Sequence, residues 1–199
     1  MGLSSQVVTY RVNDATTVKL EIEPTEGFHP AKGHRDEVYA VCAVTVDGRA
    51  LLASGGGDRT VRLWDPQGGG QLAVLEGHQG PVRAVCAVTV VGRALLASGG
   101  DDDTVRVWDL QGGGQRAVLE GYQGSVRAVC AVTVDGRVLL ASGGDDDTVR
   151  LWDPRTGICL LTAQTHHKVL AVAGVTDSLA IGLDIGILVI KPSAVVQRA

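Results

Sequence analysis

A chain of 199 residues with 45% hydrophobic side chains has enough apolar material for a core, and its 20% charged residues are too few for a disordered chain. Aromatics are only 4% while glycine reaches 27 residues, so Val, Ala and Leu carry the burial, and many short strands joined by tight turns are expected. A net charge of −4 with no Lys/Arg cluster speaks against a nucleic-acid partner, which needs basic surface to displace phosphate counterions.

The N-terminal residues lack the apolar h-region of a secretory signal, and Met1-Gly2 is followed by Gln6 where a myristoylation motif requires Ser or Thr. Residues 1–33 read as a β-hairpin and linker: Val7 to Val12, then Asn13-Asp14, then Thr16 to Glu23 with alternating Val18, Leu20 and Ile22.

Beyond residue 33 the chain repeats itself every 44 residues. Trp64, Trp108 and Trp152 fall in step, as do His34, His78, Tyr122 and His166, and residues 78–109 and 122–153 differ at five of 32 positions. The units are 34–77, 78–121 and 122–165, with a degenerate fourth at 166–192 and a tail at 193–199. A period of this length suits a four-stranded sheet and also some helical repeats. Paired glycines in two places per unit, and no run of ten residues with a 3.6-residue apolar period, select the sheet.

The second unit shows the pattern. Val82 to Val90 is an innermost strand, and Val91-Gly92-Arg93 turns it into Leu95 to Ser98, which ends at Gly99-Gly100. Asp101-Asp102-Asp103 leads into Thr104 to Trp108, and Gln111-Gly112-Gly113-Gly114 into an outer strand, Arg116 to Leu119. The inner strands are apolar on both faces, as expected of sheets covered on both sides by neighbours. Cys42, Cys86 and Cys130 hold equivalent positions between Val and Ala, and the fourth cysteine stands outside this pattern. With no C-x-x-C pair they read as small core residues in a reducing cytoplasm, not as metal or redox sites.

The segments Gly77-His78, Leu96-Ala97-Ser98-Gly99 and Asp102-Asp103-Thr104-Val105-Arg106-Val107-Trp108-Asp109 resemble the WD-repeat signature in order and spacing, and recur three times over residues 34–165. The resemblance implies an all-β fold of β-propeller blades, each a four-stranded antiparallel sheet, in an incomplete or small propeller of about four blades. It also implies a buried His–Ser–Asp–Trp hydrogen-bonded set in each blade: His34, Ser54, Asp58 and Trp64; His78, Ser98, Asp102 and Trp108; and Tyr122, Ser142, Asp146 and Trp152, with a phenol replacing the imidazole. Such a network stabilises only when every member is paired. In the fourth unit His166 remains, Ile181 replaces Ser, and Ile190 or Lys191 stands where Trp is expected, as suits a terminal blade.

The N-terminal hairpin resembles the opening hairpin of the trypsin-co-occurring domain, a small module attached to bacterial effector-type proteins, although no helix follows. The alternative is that one of its strands pairs with the last blade. Three well-kept blades and one degenerate blade are fewer than the seven usual in the resembled family. Two chains completing an eight-bladed ring, the N-terminal strand sealing a four-bladed one, and a shortened relative of a longer protein all remain open. An incomplete ring leaves apolar faces bare, which soluble monomers avoid, and the first and third are favoured over the second.

The acidic turns are the distinctive surface feature. With Asp102 and Asp146 committed to the buried sets, Asp101, Asp103, Asp145 and Asp147 are expected to face solvent as an edge for a basic protein or peptide segment. Nothing fixes six oxygens around a calcium ion, and His166-His167 lacks a metal-spaced partner, so no metal and no cofactor are expected. Ser54, Ser98 and Ser142 lie in ASGG strand ends and not in a G-x-S-x-G elbow, and no glycine turn continues into a phosphate loop. The apolar stretch Val169 to Ile190 is interrupted by Asp177 and Asp184, each costing about 2.5–3.5 kcal/mol in lipid, so no membrane span is expected. The expected function is a non-enzymatic protein–protein interaction scaffold. The alternative is a sensory or regulatory accessory module of a bacterial effector or protease system.

Overall fold

A computed structural model describes residues 6–13, 16–22, 33–67 and 70–192, and the described residues form strands and turns without a helix. The Met1-Gly2 terminus, Asp14 of the hairpin turn, the linker 23–32 and the tail 193–199 lie outside the described residues. β1 (Gln6–Asn13) and β2 (Thr16–Ile22) pair antiparallel, Gln6 opposite Ile22.

Three four-stranded antiparallel sheets follow, each a meander. They are β3 (Val38–Val46) to β6 (Gln71–Leu75) through β4 (Arg49–Gly56) and β5 (Val61–Trp64); β7 (Val82–Val90) to β10 (Gly114–Leu119) through β8 (Arg93–Gly100) and β9 (Val105–Asp109); and β11 (Val126–Val134) to β14 (Cys159–Gln164) through β12 (Arg137–Gly144) and β13 (Thr148–Trp152). A three-stranded sheet closes the series: β15 (Val169–Val175), β16 (Ser178–Leu183) and β17 (Gly186–Ile190). Each first hairpin turns on two residues with positive φ in the first three sheets, 50° and 79° at Asp47-Gly48, 49° and 74° at Val91-Gly92, and 49° and 74° at Asp135-Gly136. That backbone matches strand twist and favours Asp-Gly. The outer strand of the second sheet starts at Gly114, two residues before the sequence reading, because Gly113 takes φ 73° and lets Gly114 pair with Asp109.

Sheets stack face to face, β3 against β7, β7 against β11 and β11 against β15. One apolar core fills each seam. Ala53, Val61 and Leu63 meet Val82, Leu96 and Trp108; Ala97, Val105 and Val107 meet Val126, Leu140 and Trp152; Ala141, Val149 and Leu151 meet Val169, Leu179 and Ile181. The glycines that end the second strands are contact points between sheets. A Cβ on Gly55 would lie 2.5 Å from Val82, one on Gly99 2.6 Å from Val126, and one on Gly143 would strike Val169. Each of the first three sheets thus receives a valine from the next in a notch that only glycine leaves open.

Coverage on both faces, expected for every inner strand, holds only for the two middle sheets. Val41 in the first sheet is 71% exposed, whereas its equivalents Val85 and Val129 are 9% and 8% exposed. At the other end Leu170, Val175, Ile187 and Val189 are exposed. The four sheets form an open arc. Among the described residues β17 pairs only with β16, and β1 only with β2, so a sealing N-terminal strand is not part of this arrangement.

Candidate functional site

The residues that carry chemistry are gathered into one row in each of the first three blades. In the second blade the Trp108 Nε1–H donates to Ser98 Oγ at 2.9 Å, and Ser98 Oγ lies 2.7 Å from His78 Nε2. His78 Nδ1 lies 2.9 Å from Asp102. Proton bookkeeping then assigns the direction: Trp gives to Ser, Ser gives to His Nε2, and His Nδ1–H gives to the carboxylate. The first blade repeats this with Trp64–Ser54 at 2.8 Å, Ser54–His34 at 2.7 Å and His34–Asp58 at 2.8 Å. Ser98 is fully buried and His78 nearly so.

The third row is shorter. Tyr122 Oη meets Ser142 Oγ at 2.7 Å and Trp152 Nε1–H donates to the same oxygen at 2.7 Å, but a phenol has no second polar atom to reach Asp146. Asp146 accepts from the Gln123 N–H at 3.3 Å and from the Thr148 N–H and hydroxyl at 3.1 and 2.7 Å. The Arg150 guanidinium lies over the Tyr122 ring, 4.6 Å from its centroid. Burial pushes the Tyr122 phenol well above its usual range. The fourth row is absent. The chain is one residue shorter between β14 and β15, so Thr165, four residues before Val169 as His78 is before Val82, takes the histidine's place. His166, retained in the sequence reading, is exposed with φ 60°. Ile181 fills the serine position, fully buried.

Burial would raise the Asp58 and Asp102 carboxyls. The Arg35 N–H, the His34 ring and the Thr60 hydroxyl outweigh it at Asp58, and the His78 ring and the Gln79 N–H at Asp102, so both stay well below the usual carboxylate range. Two helpers were not singled out in the sequence. Thr60, Thr104 and Thr148 donate to the Asp two residues earlier. Arg62, Arg106 and Arg150 stand four residues after it, at 3.0, 3.8 and 3.6 Å. The D-x-T-V-R spacing was the available signal, since residues two apart on a strand share a face.

The acidic turns depart from expectation. Asp101 and Asp145 do not face solvent as free carboxylates: Arg83 binds Asp101 through Nε and Nη2 at 2.9 and 2.6 Å, and Arg127 binds Asp145 at 3.0 and 2.6 Å. The Arg83 guanidinium holds the Asp101 carboxyl below its ordinary range, and Arg127 does the same for Asp145. Asp103 and Asp147 are half-buried and take φ near 60°, a turn geometry tolerated by Asp. The first blade has Tyr39 and Gly57 in place of this Arg–Asp pair, both partners replaced together, and Arg83 stacks on the Tyr39 ring at 4.1 Å.

Cys42, Cys86 and Cys130 are half-buried free thiols, and burial raises all three, Cys42 up to about 11 and Cys130 up to about 12, which favours the protonated thiol. Among the described residues no group of His, Cys, Asp and Glu could hold a metal ion, and no helix is long and apolar enough to cross a membrane.

Three segments, residues 28–65, 69–109 and 113–153, match the family model described as WD domain, G-beta repeat. The second match takes in β6 and then β7 to β9, so a sequence repeat straddles two sheets and ties neighbours together. No curated protein matches the chain. Among solved structures the chain is similar to the crystal structure of the computationally designed Ika4 protein, with 26% identity and a TM-score of 0.65 over 80% of this chain and 94% of that one.

Proposed function

Because the chain belongs to the WD40-repeat family, whose model covers more than half of it, we propose that it acts as a non-enzymatic scaffold that binds another polypeptide. One observation carries this reading. The histidines, serines and aspartates of the first two rows are spent on hydrogen bonds that hold their blades, and the pattern recurs from one blade to the next, whereas catalysis needs an asymmetric cluster. Titration of the purified chain against an array of acidic, basic and apolar peptides tests it: selective binding supports it. Hydrolase activity abolished by Ser98→Ala or His78→Ala, with no peptide bound, overturns it.

A second copy of the chain covers the two exposed end faces. Val82, Val126 and Val169 are fully buried on the glycines of the preceding sheet, while Val38, their counterpart, is 50% exposed. Gly182, the counterpart of those glycines, meets only Ala171 of its own sheet, at 3.3 Å. The fourth sheet of one copy therefore offers what the first sheet of another lacks, and two such joints give eight blades. Light scattering tests this: a species twice 20.7 kDa is expected, and one sharp 20.7 kDa species with cooperative melting overturns it. A reducing cytoplasm suits the unpaired thiols.

A further inference from the structure

In a chain of near-identical repeats, the positions that depart from the repeat are informative, and four of them converge on one spot. At the seam of the first and second sheets, Gln111 Nε2–H donates to Asp47 Oδ1 at 2.6 Å, joining the β9–β10 turn to the β3–β4 turn. Forty-four residues on, at the seam of the second and third sheets, the same two positions are Val91 and Arg155. The carboxylate is gone and its donor has become a guanidinium. Arg116 stands where the other blades have Leu72 and Leu160, and Val138 where they have Ala50 and Ala94. These four residues line two adjoining cavities of about 240 Å³ each, with Val91 and Arg155 common to both.

Val91 is 84% exposed and held at φ 49°, a backbone that a β-branched residue rarely adopts and that Asp47, Asp135 and Asp177 take at the equivalent turns. Around it Arg93 pairs with Asp109 at 2.7 Å and Arg137 with Asp153 at 3.4 Å. Among the described residues neither Arg116 nor Arg155 makes an ion pair; an Arg116 Nη2–H donates to the Arg155 carbonyl at 3.0 Å. Four guanidiniums against two carboxylates leave a local excess of positive charge on a chain whose net charge is −4. The β3–β4 type turns lie at the opposite end of the strands from the acidic turns, so the two charged edges are separate.

We infer that this seam recognises an acidic polypeptide segment: a carboxylate of the partner sits at Arg155 and Arg116, as Asp47 sits at Gln111 one seam earlier, and an apolar neighbour lies on Val91. A guanidinium fits a carboxylate in a two-pronged bond that the amide of the other seam does not offer. The inference rests on the reading of the chain as a polypeptide-binding scaffold and names the partner's chemistry. It replaces the basic segment suggested by the acidic turns, whose carboxylates Asp101 and Asp145 are already paired.

Fluorescence polarisation with a labelled Leu-Glu-Leu-Glu-Leu-Glu peptide, and with its Gln and Lys counterparts, tests this on the full chain. The Glu peptide is expected to bind, more weakly as salt rises, and the other two are not. Arg155→Gln, Arg116→Leu and Val91→Asp each install what another repeat carries, so folding is retained. Each is expected to weaken binding at least about tenfold; circular dichroism melts confirm that they fold. Equal binding by all variants, or a preference for the Lys peptide, overturns the site and leaves the scaffold reading standing. No binding of the Glu peptide at 1 mM (roughly −4 kcal/mol) also overturns the site. The scaffold reading falls only when the wider peptide array is blank as well.

Discussion

The first and second sheets are built from almost the same residues and yet live in different surroundings. Leu52 and Leu96 hold equivalent positions, but Leu52 is 42% exposed and Leu96 is fully buried; Val41 and Val85 differ in the same way. Their strands and hydrogen-bonded rows are alike, so the difference comes from the neighbour and not from the sheet itself. In a repeat array, burial is conferred from outside, and the stability of a blade is shared with the one before it. The middle sheets are therefore where the molecule is held together, and the end sheets keep apolar faces exposed.

Truncation separates the two regions most sharply. Leu96→Ala is expected to cost about 2–5 kcal/mol, as cavity-forming leucine losses do, whereas Leu52→Ala should cost less than about 1 kcal/mol at dilute protein. Urea denaturation of both variants measures this. A Leu52→Ala cost that grows with protein concentration would show a second copy covering the first sheet. Next in size is Ser98→Ala, which strands the Trp108 N–H and His78 Nε2 in the core and should cost about 1–3 kcal/mol; Ser54→Ala, in the less covered first blade, should cost less.

The acid limb belongs to the same comparison. The Asp58 and Asp102 carboxyls are held below their unfolded range, so their stabilisation is present above about pH 4 and is lost as pH falls towards their folded values. Asp102→Asn should lower stability at neutral pH and flatten the acid limb of a pH–denaturation curve. A limb that stays as steep as that of the parent would place the acid sensitivity elsewhere. Tyr122→His is expected to restore a ring N–H for Asp146 and raise stability by up to about 1 kcal/mol, read as a shift in melting. The smallest effect is local: Val91→Asp relieves the left-handed turn and should gain roughly 1 kcal/mol, whatever happens at the ends.

Much of this was legible in the residues. The 44-residue period and the strand order within a blade follow from turn chemistry and spacing, which are local, and the resemblance to the WD repeat supplied the His–Ser–Asp–Trp rows of the first two blades. The rest depends on contacts that no period reports. Arg83 reaches Asp101 across eighteen residues because β7 and β8 bring them side by side, and Arg127 reaches Asp145 in the same way, so two of the four carboxylates of the expected acidic edge are paired. The shift from His166 to Thr165 comes from one residue missing between β14 and β15, which is visible only once Val169 is placed on Gly143. The exposure of Val41 needs knowledge that, among the described residues, the first sheet has a blade stacked on one face only. The weight of Val91 was missed because a valine beside glycine looks like any turn until its backbone angle is known.

The valine-and-glycine fit between successive sheets has a consequence for assembly. Valine leads at the N-terminal side of the arc and glycine waits at the C-terminal side, so a joint made between chains is directional and leaves the same two ends unused on the outer flanks. A directional joint closes when the turn per chain divides a full circle, and otherwise it continues as a filament. Curvature, not adhesive strength, therefore decides between a finite particle and a fibre. A substitution that tilts one blade by a few degrees would change the size of the assembly while leaving every contact within the chain intact.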